Sequence, residues 1–295
     1  MINAGFVPAL GTPLDEKGNL IKESLTKQIN DQINAGASAV LCMGSMGIEA
    51  FIRNDVYPEV AKCAVEAAAG RVPVFVGAMD TSIARVKDKL AAIEDLDIAG
   101  LVFTAPFYEA AEKSEMMNFF KKVAALTKHK VLLYDLPPVT QAKITYDMVL
   151  DLINTVPNLI GIKSADTQMF RKLTLNPDVP KDFVMVYSGL DIFDVAYKWG
   201  IDKCLDGMLS CTPHNTGKMF RAMKENDYKT AGECLNKIVA FRDFFIGNDL
   251  WPSFTAAMNL LGCAGNFAPD YCGVPDEKII SAVRAEMIKI GEIEA

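Results

Sequence analysis

Lys163 closes the apolar run Leu159-Ile-Gly-Ile, and Tyr134 closes the run Val131-Leu-Leu. Each of these short β-type segments ends on a polar group with chemistry to offer. A lysine taken out of water is costly in its charged form, so burial favours the free amine. A free amine can attack a keto carbon and form an imine, which withdraws electrons while a neighbouring C–C bond forms or breaks. Those steps need a proton carrier beside the amine, and a phenol hydroxyl both donates and accepts. Taken singly, the residues have ordinary explanations as a snorkelling lysine and a core aromatic. Their joint placement at the ends of two successive strands makes them a candidate pair.

A second constellation follows another apolar run, where Ala39-Val-Leu-Cys-Met leads into Gly44-Ser-Met-Gly47. Two glycines around Ser45 let backbone N–H groups and a hydroxyl converge on a small anion such as a carboxylate. A metal-based alternative would use Asp80, Asp135, Asp166, Asp191 and His214, all in segments that follow predicted strands. Loop aspartates are more often caps and turns, and the chain has only 2 histidines. The expectation is therefore no metal and no separate cofactor, the lysine itself supplying the electron sink.

These residues need a scaffold that brings strand ends together. Apolar, β-rich runs predict strands at Gly5–Leu10, Ala39–Met43, Val74–Val76, Gly100–Thr104, Lys130–Tyr134, Leu159–Lys163, Val184–Ser188 and Cys204–Leu209. Helical periodicity predicts Ile21–Ala35, Val56–Ala69, Ile83–Glu94, Ser114–Thr127, Tyr146–Asn154, Phe193–Trp199 and Thr216–Glu225 between and after them. Ser24, Ser114 and Thr145 stand near the expected helix starts. This alternation predicts an α/β fold, a (β/α)8 TIM barrel, which typically takes about 250 residues and carries its working groups where strands end. A doubly wound sheet would call for a glycine-rich turn after the first strand, and Ala9-Leu-Gly-Thr-Pro-Leu is not one. Further helices are expected at Thr230–Phe245, Trp251–Leu261 and Pro275–Ile290. The expected organisation is a catalytic barrel over 1–225 and a helical extension over 226–295 packed on it.

Composition narrows the partners. The chain has 295 residues, 51% hydrophobic and 23% charged, with a formal net charge of -7. That is an ordinary globular composition without the positive excess that nonspecific nucleic-acid binding requires. Its 7 cysteines are odd in number and include no C-x-x-C pair, which reads as reduced thiols in a cytoplasmic chain. No run reaches the roughly 18 apolar residues of a membrane span, and the start has no leader-like pattern.

With these residues in view, the chain resembles the class I, pyruvate-dependent aldolases of the dihydrodipicolinate synthase and N-acetylneuraminate lyase family. The most specific matches are Tyr134-Asp-Leu-Pro137 for its tyrosine motif Y-[ND]-x-P and Gly161-Ile-Lys163 for its Schiff-base motif G-[IVL]-K. The resemblance implies that Lys163 forms the imine with pyruvate or a related 2-keto acid and that Tyr134 relays protons. It implies that Ser45, with Gly44, Met46 and Gly47, holds the keto acid's carboxylate. By the same resemblance Tyr108, in Thr104-Ala-Pro-Phe-Tyr108, reaches into a neighbouring subunit's site. Leu209 contacts pyruvate through its backbone, and Asp191 faces the second substrate. A homotetramer is implied.

The departures shape the expected substrate. Met46 replaces the second hydroxyl residue of the carboxylate loop, and Ile48 stands at the family's usual Glu, with Glu49 directly after. Val139 occupies the position of the arginine that binds the aldehyde's carboxylate in the synthases, and an apolar side chain cannot supply that bidentate contact. Ala165 and Ile192 replace polar groups that the neuraminate lyases offer to sugar hydroxyls. The expected activity is an aldolase or lyase that joins pyruvate to an aldehyde or releases it, with a 2-keto-3-deoxy sugar acid as one source. The synthase or neuraminate lyase activity proper is the alternative. A noncatalytic keto-acid sensor is the rival from another class, because fold alone does not fix function.

Overall fold

A computed structural model describes residues 2–295. Eight strands form one sheet, β1 (Gly5–Pro8), β2 (Val40–Cys42), β3 (Val74–Gly77), β4 (Gly100–Thr104), β5 (Val131–Tyr134), β6 (Leu159–Ser164), β7 (Val184–Tyr187) and β8 (Lys203–Asp206). Every ladder is parallel, and each strand lies beside its sequence neighbours. β1 pairs with β8 at four positions, from Gly5 with Lys203 to Pro8 with Asp206. A single bridge between Ala9 and Leu41 joins β1 to β2 and closes the ring. The result is the expected (β/α)8 barrel, with helices in the connections.

The helices are α1 (Lys22–Ala35), α2 (Tyr57–Ala68), α3 (Ile83–Ile93), α4 (Lys113–Ala125), the single turn α5 (Pro137–Thr140), α6 (Tyr146–Thr155), α7 (Thr167–Leu175) and α8 (Phe193–Lys198). After β8 come the single turn α9 (Met208–Cys211) and α10 (Pro213–Lys224), then α11 (Tyr228–Gly247), α12 (Leu250–Leu260) and α13 (Glu277–Ile290). Local chemistry sets several of the starts. The Asp166 carboxylate accepts the Met169 N–H at 2.8 Å to cap α7, and Asp276 caps α13 through the Ile279 N–H at 2.8 Å. Glu112 and Glu115 form a capping box on α4.

Four expectations change. The sequence reading contains no helix between β6 and β7, where α7 is only nine residues long and runs straight into Asn176-Pro177. The eighth strand ends at Asp206 rather than Leu209, because the Asp206 carboxylate accepts the Met208 N–H at 2.9 Å and turns the chain into α9. Ser24 is buried inside α1, and Ser114 lies inside α4 beyond its true cap, Glu112. Thr145 does occupy the N-cap position of α6, but its side chain makes no capping bond.

Alternation along the strands sorts the core into two clusters. Val7, Leu41, Phe75, Val102, Leu132, Tyr134, Val186 and Leu205 fill the barrel interior. Phe6, Val40, Val76, Phe103, Leu133 and Ile162 face outward and pack with the helices. Truncating a fully buried member such as Phe103 to Ala would cost about 3–5 kcal/mol. The three C-terminal helices add to the outer layer, with α11 packing on α10 and α8. Near the chain end, Glu292 accepts the His214 and Asn215 N–H groups at 2.6 and 3.1 Å, capping α10 from outside. No helix among the described residues is long and apolar enough to cross a membrane.

Candidate active site

Tyr134 and Lys163 are Cα partners in the ladder between β5 and β6. Their side chains therefore leave neighbouring strands at the same height and on the same, inner face. Lys163 is 5% exposed and Tyr134 6%. The Lys163 Nζ sits 3.5 Å from the centroid of the Tyr134 ring. Neither the amine nor the phenol hydroxyl has a hydrogen-bond partner among the described residues, and both residues face open space. Both groups line a cavity of about 550 Å³.

The approach of β6 to its neighbour explains the glycine two residues before the lysine. A Cβ on Gly161 would lie 2.1 Å from the Val184 carbonyl oxygen of β7, so the motif glycine is required by backbone contact. Outside the barrel wall, the residues that follow the pair lock the register. The Ser164 hydroxyl donates to Asp135 Oδ2 at 2.8 Å, and the Asp135 N–H donates to the Lys163 carbonyl at 2.9 Å. Asp135 also accepts from Lys143 Nζ and from the Ile144 N–H at 3.0 Å.

The rest of the cavity wall includes residues the sequence reading left out of the lysine site, Lys143 and Asp206, beside motif and strand-end residues it did mention. Asp135, Lys143, Asp166, Ser188 and Asp206 supply its polar groups, and Leu136, Pro137, Pro138 and Ala165 its apolar ones. Burial pushes the Asp206 carboxyl up, with the Met208 N–H and the Lys163 charge pulling the other way. Asp166 is held below the usual carboxylate range, its burial outweighed by the Met169 N–H and Lys143. A larger cavity, about 840 Å³, lies between the Asp15–Gly18 loop and the segment from Asn266 to Pro275. It contains neither Lys163 nor Tyr134.

The other predicted site residues fall outside this cavity. Gly44 and Gly47 are buried, Ser45 is exposed and Met46 is partly buried. The loop that carries them meets the eighth strand, where a Cβ on Gly207 would strike Met46 Cγ at 2.5 Å. Leu209 is fully buried in the outer core on α9. Asp191 is turned toward α11, where Arg242 donates to its two oxygens at 2.8 Å each, and Ser188 is the member of its segment that lines the cavity. Tyr108 is 85% exposed and has φ 86, a backbone conformation unusual for a tyrosine. The aspartates considered for a metal are engaged elsewhere: Asp80 pairs with Arg85 and Lys89, and Asp135 and Asp166 with Lys143.

The Gly44–Gly47 loop leads into a buried ion cluster. Glu49, directly after the loop, bonds to Lys89, which also reaches Asp80 at 2.9 Å and the Met79 carbonyl at 2.8 Å. Burial pushes the Glu49 carboxyl up to about 8 against the pull of Lys89. Ile48, the residue at the family's usual Glu, adopts φ 48 and ψ 35, which turns its successor inward. The glutamate is thus displaced by one position along the chain and buried.

A model of the dihydrodipicolinate synthetase family matches residues 3–275. The chain belongs to this family. The 4-hydroxy-tetrahydrodipicolinate synthase of Shigella dysenteriae serotype 1 (strain Sd197) is 31% identical over 188 residues, 64% of either chain. The protein of that name from Escherichia coli O139:H28 is 31% identical over 182 residues, 62% of either chain. The match therefore spans less than two thirds of these curated relatives. A prophage protein of the dihydrodipicolinic acid synthase family from E. coli K12, solved with pyruvate, superposes with TM-score 0.89 at 19% identity, covering 99% of this chain and 100% of that one. N-acetylneuraminate lyase from Proteus mirabilis gives TM-score 0.90 at 15% identity, over 99% and 100% of the two chains. At such identities the likeness is one of fold, and the family member described here shares the whole barrel and its C-terminal helices with both.

Proposed function

We propose that this family member is a carbon–carbon lyase of the class I aldolase type, which joins pyruvate to an aldehyde or releases it through an imine on Lys163. The observation that carries this reading is the Lys163 amine, over the Tyr134 ring and without a hydrogen-bond partner among the described residues, on the wall of a cavity. The free amine adds to the keto carbon of pyruvate. Loss of water and uptake of one proton leave a C=N double bond with the positive charge on nitrogen. In the cleavage direction the C–C electron pair moves into that system as the aldehyde departs, the Tyr134 oxygen takes the proton of the substrate hydroxyl while giving up its own, and one proton ends on the enamine carbon left behind. Condensation is the reverse.

The Gly44–Gly47 loop with Ser45 is the proposed holder of the keto acid's carboxylate, and Leu209 a backbone contact near it. Tyr108 is proposed to serve a neighbouring subunit's site within a homotetramer. Its high exposure and unusual φ suit a side chain built to meet another surface. All seven cysteines are free, which fits a reducing cytoplasm. The activity named for the curated relatives is the second reading, favoured by their 31% identity. Against it, Val139 is 53% exposed and does not line the cavity.

Borohydride reduction with pyruvate tests the mechanism. A covalent adduct at Lys163, absent in Lys163→Ala, is the expected result, together with pyruvate release from at least one 2-keto-3-deoxy acid. Full activity in Lys163→Ala would overturn it. Pyruvate binding without an adduct or turnover would identify a sensor.

A further inference from the structure

Lys143 is brought to the Lys163 cavity by the loop that follows α5, and it stands between two aspartates. Asp135 is almost fully buried and fully engaged, by Lys143, Ser164 and the Ile144 N–H. Asp166 is different. Its side chain is 29% exposed and lies 3.2 Å from Lys143 Nζ, whose own side chain is 42% exposed. One oxygen of Asp166 caps α7, leaving the other to share between Lys143 and the cavity.

We propose that Lys143 and Asp166 are the recognition pair for the second substrate and that they select an uncharged, hydroxyl-bearing aldehyde. This rests on the imine reading of the same cavity. An ammonium has three protons; Asp135 takes one and Asp166 lies at ion-pair distance, so at least one remains to donate into the cavity. Beside it, the free lone pairs of Asp166 accept. A donor next to an acceptor matches a hydroxyl group, which does both. The charges point the same way, since Lys143 stands against Asp135 and Asp166, and Asp206 is a third carboxyl on the same lining. A negatively charged aldehyde would be repelled by it.

Among the described residues, Lys163 is the one other basic group on the lining. Val139 is apolar and turned outward, and the Arg242 guanidinium is held by Asp191 and Asp243 and does not line the cavity. The Lys163 nitrogen, once converted to the charged imine, is balanced by the carboxylate of pyruvate itself.

The test compares three aldehydes in condensation with pyruvate: glyceraldehyde, glyceraldehyde 3-phosphate and propanal. The parent chain is expected to prefer glyceraldehyde over both by about tenfold or more in kcat/KM. Asp166→Asn keeps an oxygen to cap α7 but removes the charge, and should move the ratio of glyceraldehyde to its phosphate toward the phosphate by about tenfold. Lys143→Met makes the wall more negative and should move the ratio the other way, so either variant that folds gives a reading. A parent chain that prefers the phosphate, or a ratio unmoved in both variants, overturns the inference. Pyruvate trapping by borohydride separates the two levels. An adduct in the parent with the wrong aldehyde preference removes only the recognition pair, whereas no adduct removes the imine reading and this inference with it.

Discussion

The Ser164 hydroxyl donates to the Asp135 carboxylate at 2.8 Å, so the residues following Lys163 and Tyr134 are bonded to each other just outside the barrel wall. Lys163 and Tyr134 on the inner face inherit their alignment from this clasp. Moving either strand by one residue would carry the amine or the phenol to the other side of the sheet.

Ser164→Ala removes the donor from a buried carboxylate that keeps its bonds to Lys143 and Ile144. The expected cost is about 1–3 kcal/mol in unfolding free energy, measured by urea titration. Turnover should fall with it while the pyruvate adduct still forms. A variant as stable and as active as the parent would show that the clasp is dispensable.

Tyr134→Phe retains the ring beneath the Lys163 amine and deletes only the hydroxyl. The rate should drop by about 10² to 10⁴, the range for a general acid–base group. Trapping at long times should persist, because the amine is untouched. Unchanged kcat would assign the proton transfer to another group.

Glu49 makes stability depend on pH. Its folded value of about 8 lies above the roughly 4.3 of an exposed glutamate, so between them the folded chain holds a proton that the unfolded chain has released. Stability from this group is complete below the lower value and is lost as pH rises toward the upper one. Glu49→Gln should flatten the slope of unfolding free energy between pH 5 and 8, both ends being about a unit inside or at the window. Equal slopes for parent and variant would refute this.

Glu292 takes three bonds from the start of α10, including the Asn215 side-chain amide at 2.7 Å. Glu292→Ala should lower stability by about 1–2 kcal/mol, the scale of a lost helix cap, as read from the urea midpoint. Because this contact lies away from the cavity, KM for pyruvate is the control and should stay put.

Much of this was legible before any coordinates. Parallel strands in a barrel are covered on both sides, so they show as apolar runs, and all eight stood out. Lys163 and Tyr134 were legible because each closes such a run. Asp206 closes one too, but an apolar Met208-Leu209 pair just beyond it made the strand look longer than it is. The short α7 leaves no clear periodicity, and its cap, Asp166, reads as a loop aspartate of the capping kind weighed against a metal ligand. Ser188 closes a predicted strand, but Asp191 of the same segment is the residue the sequence singles out, and Lys143 carries no local signal. Ser188 and Lys143 join the cavity because two loops fold over the strand ends, which is a long-range fact that periodicity does not encode.

The pairing of the first strand with the last orders events during synthesis. While the ribosome is still making the chain, β1 has nothing to lie against on one flank until Asp206 emerges, and the growing sheet keeps two bare edges. Closure of the ring must await the final stave, and only then do the groups around Lys163 become a chamber rather than one side of an open trough.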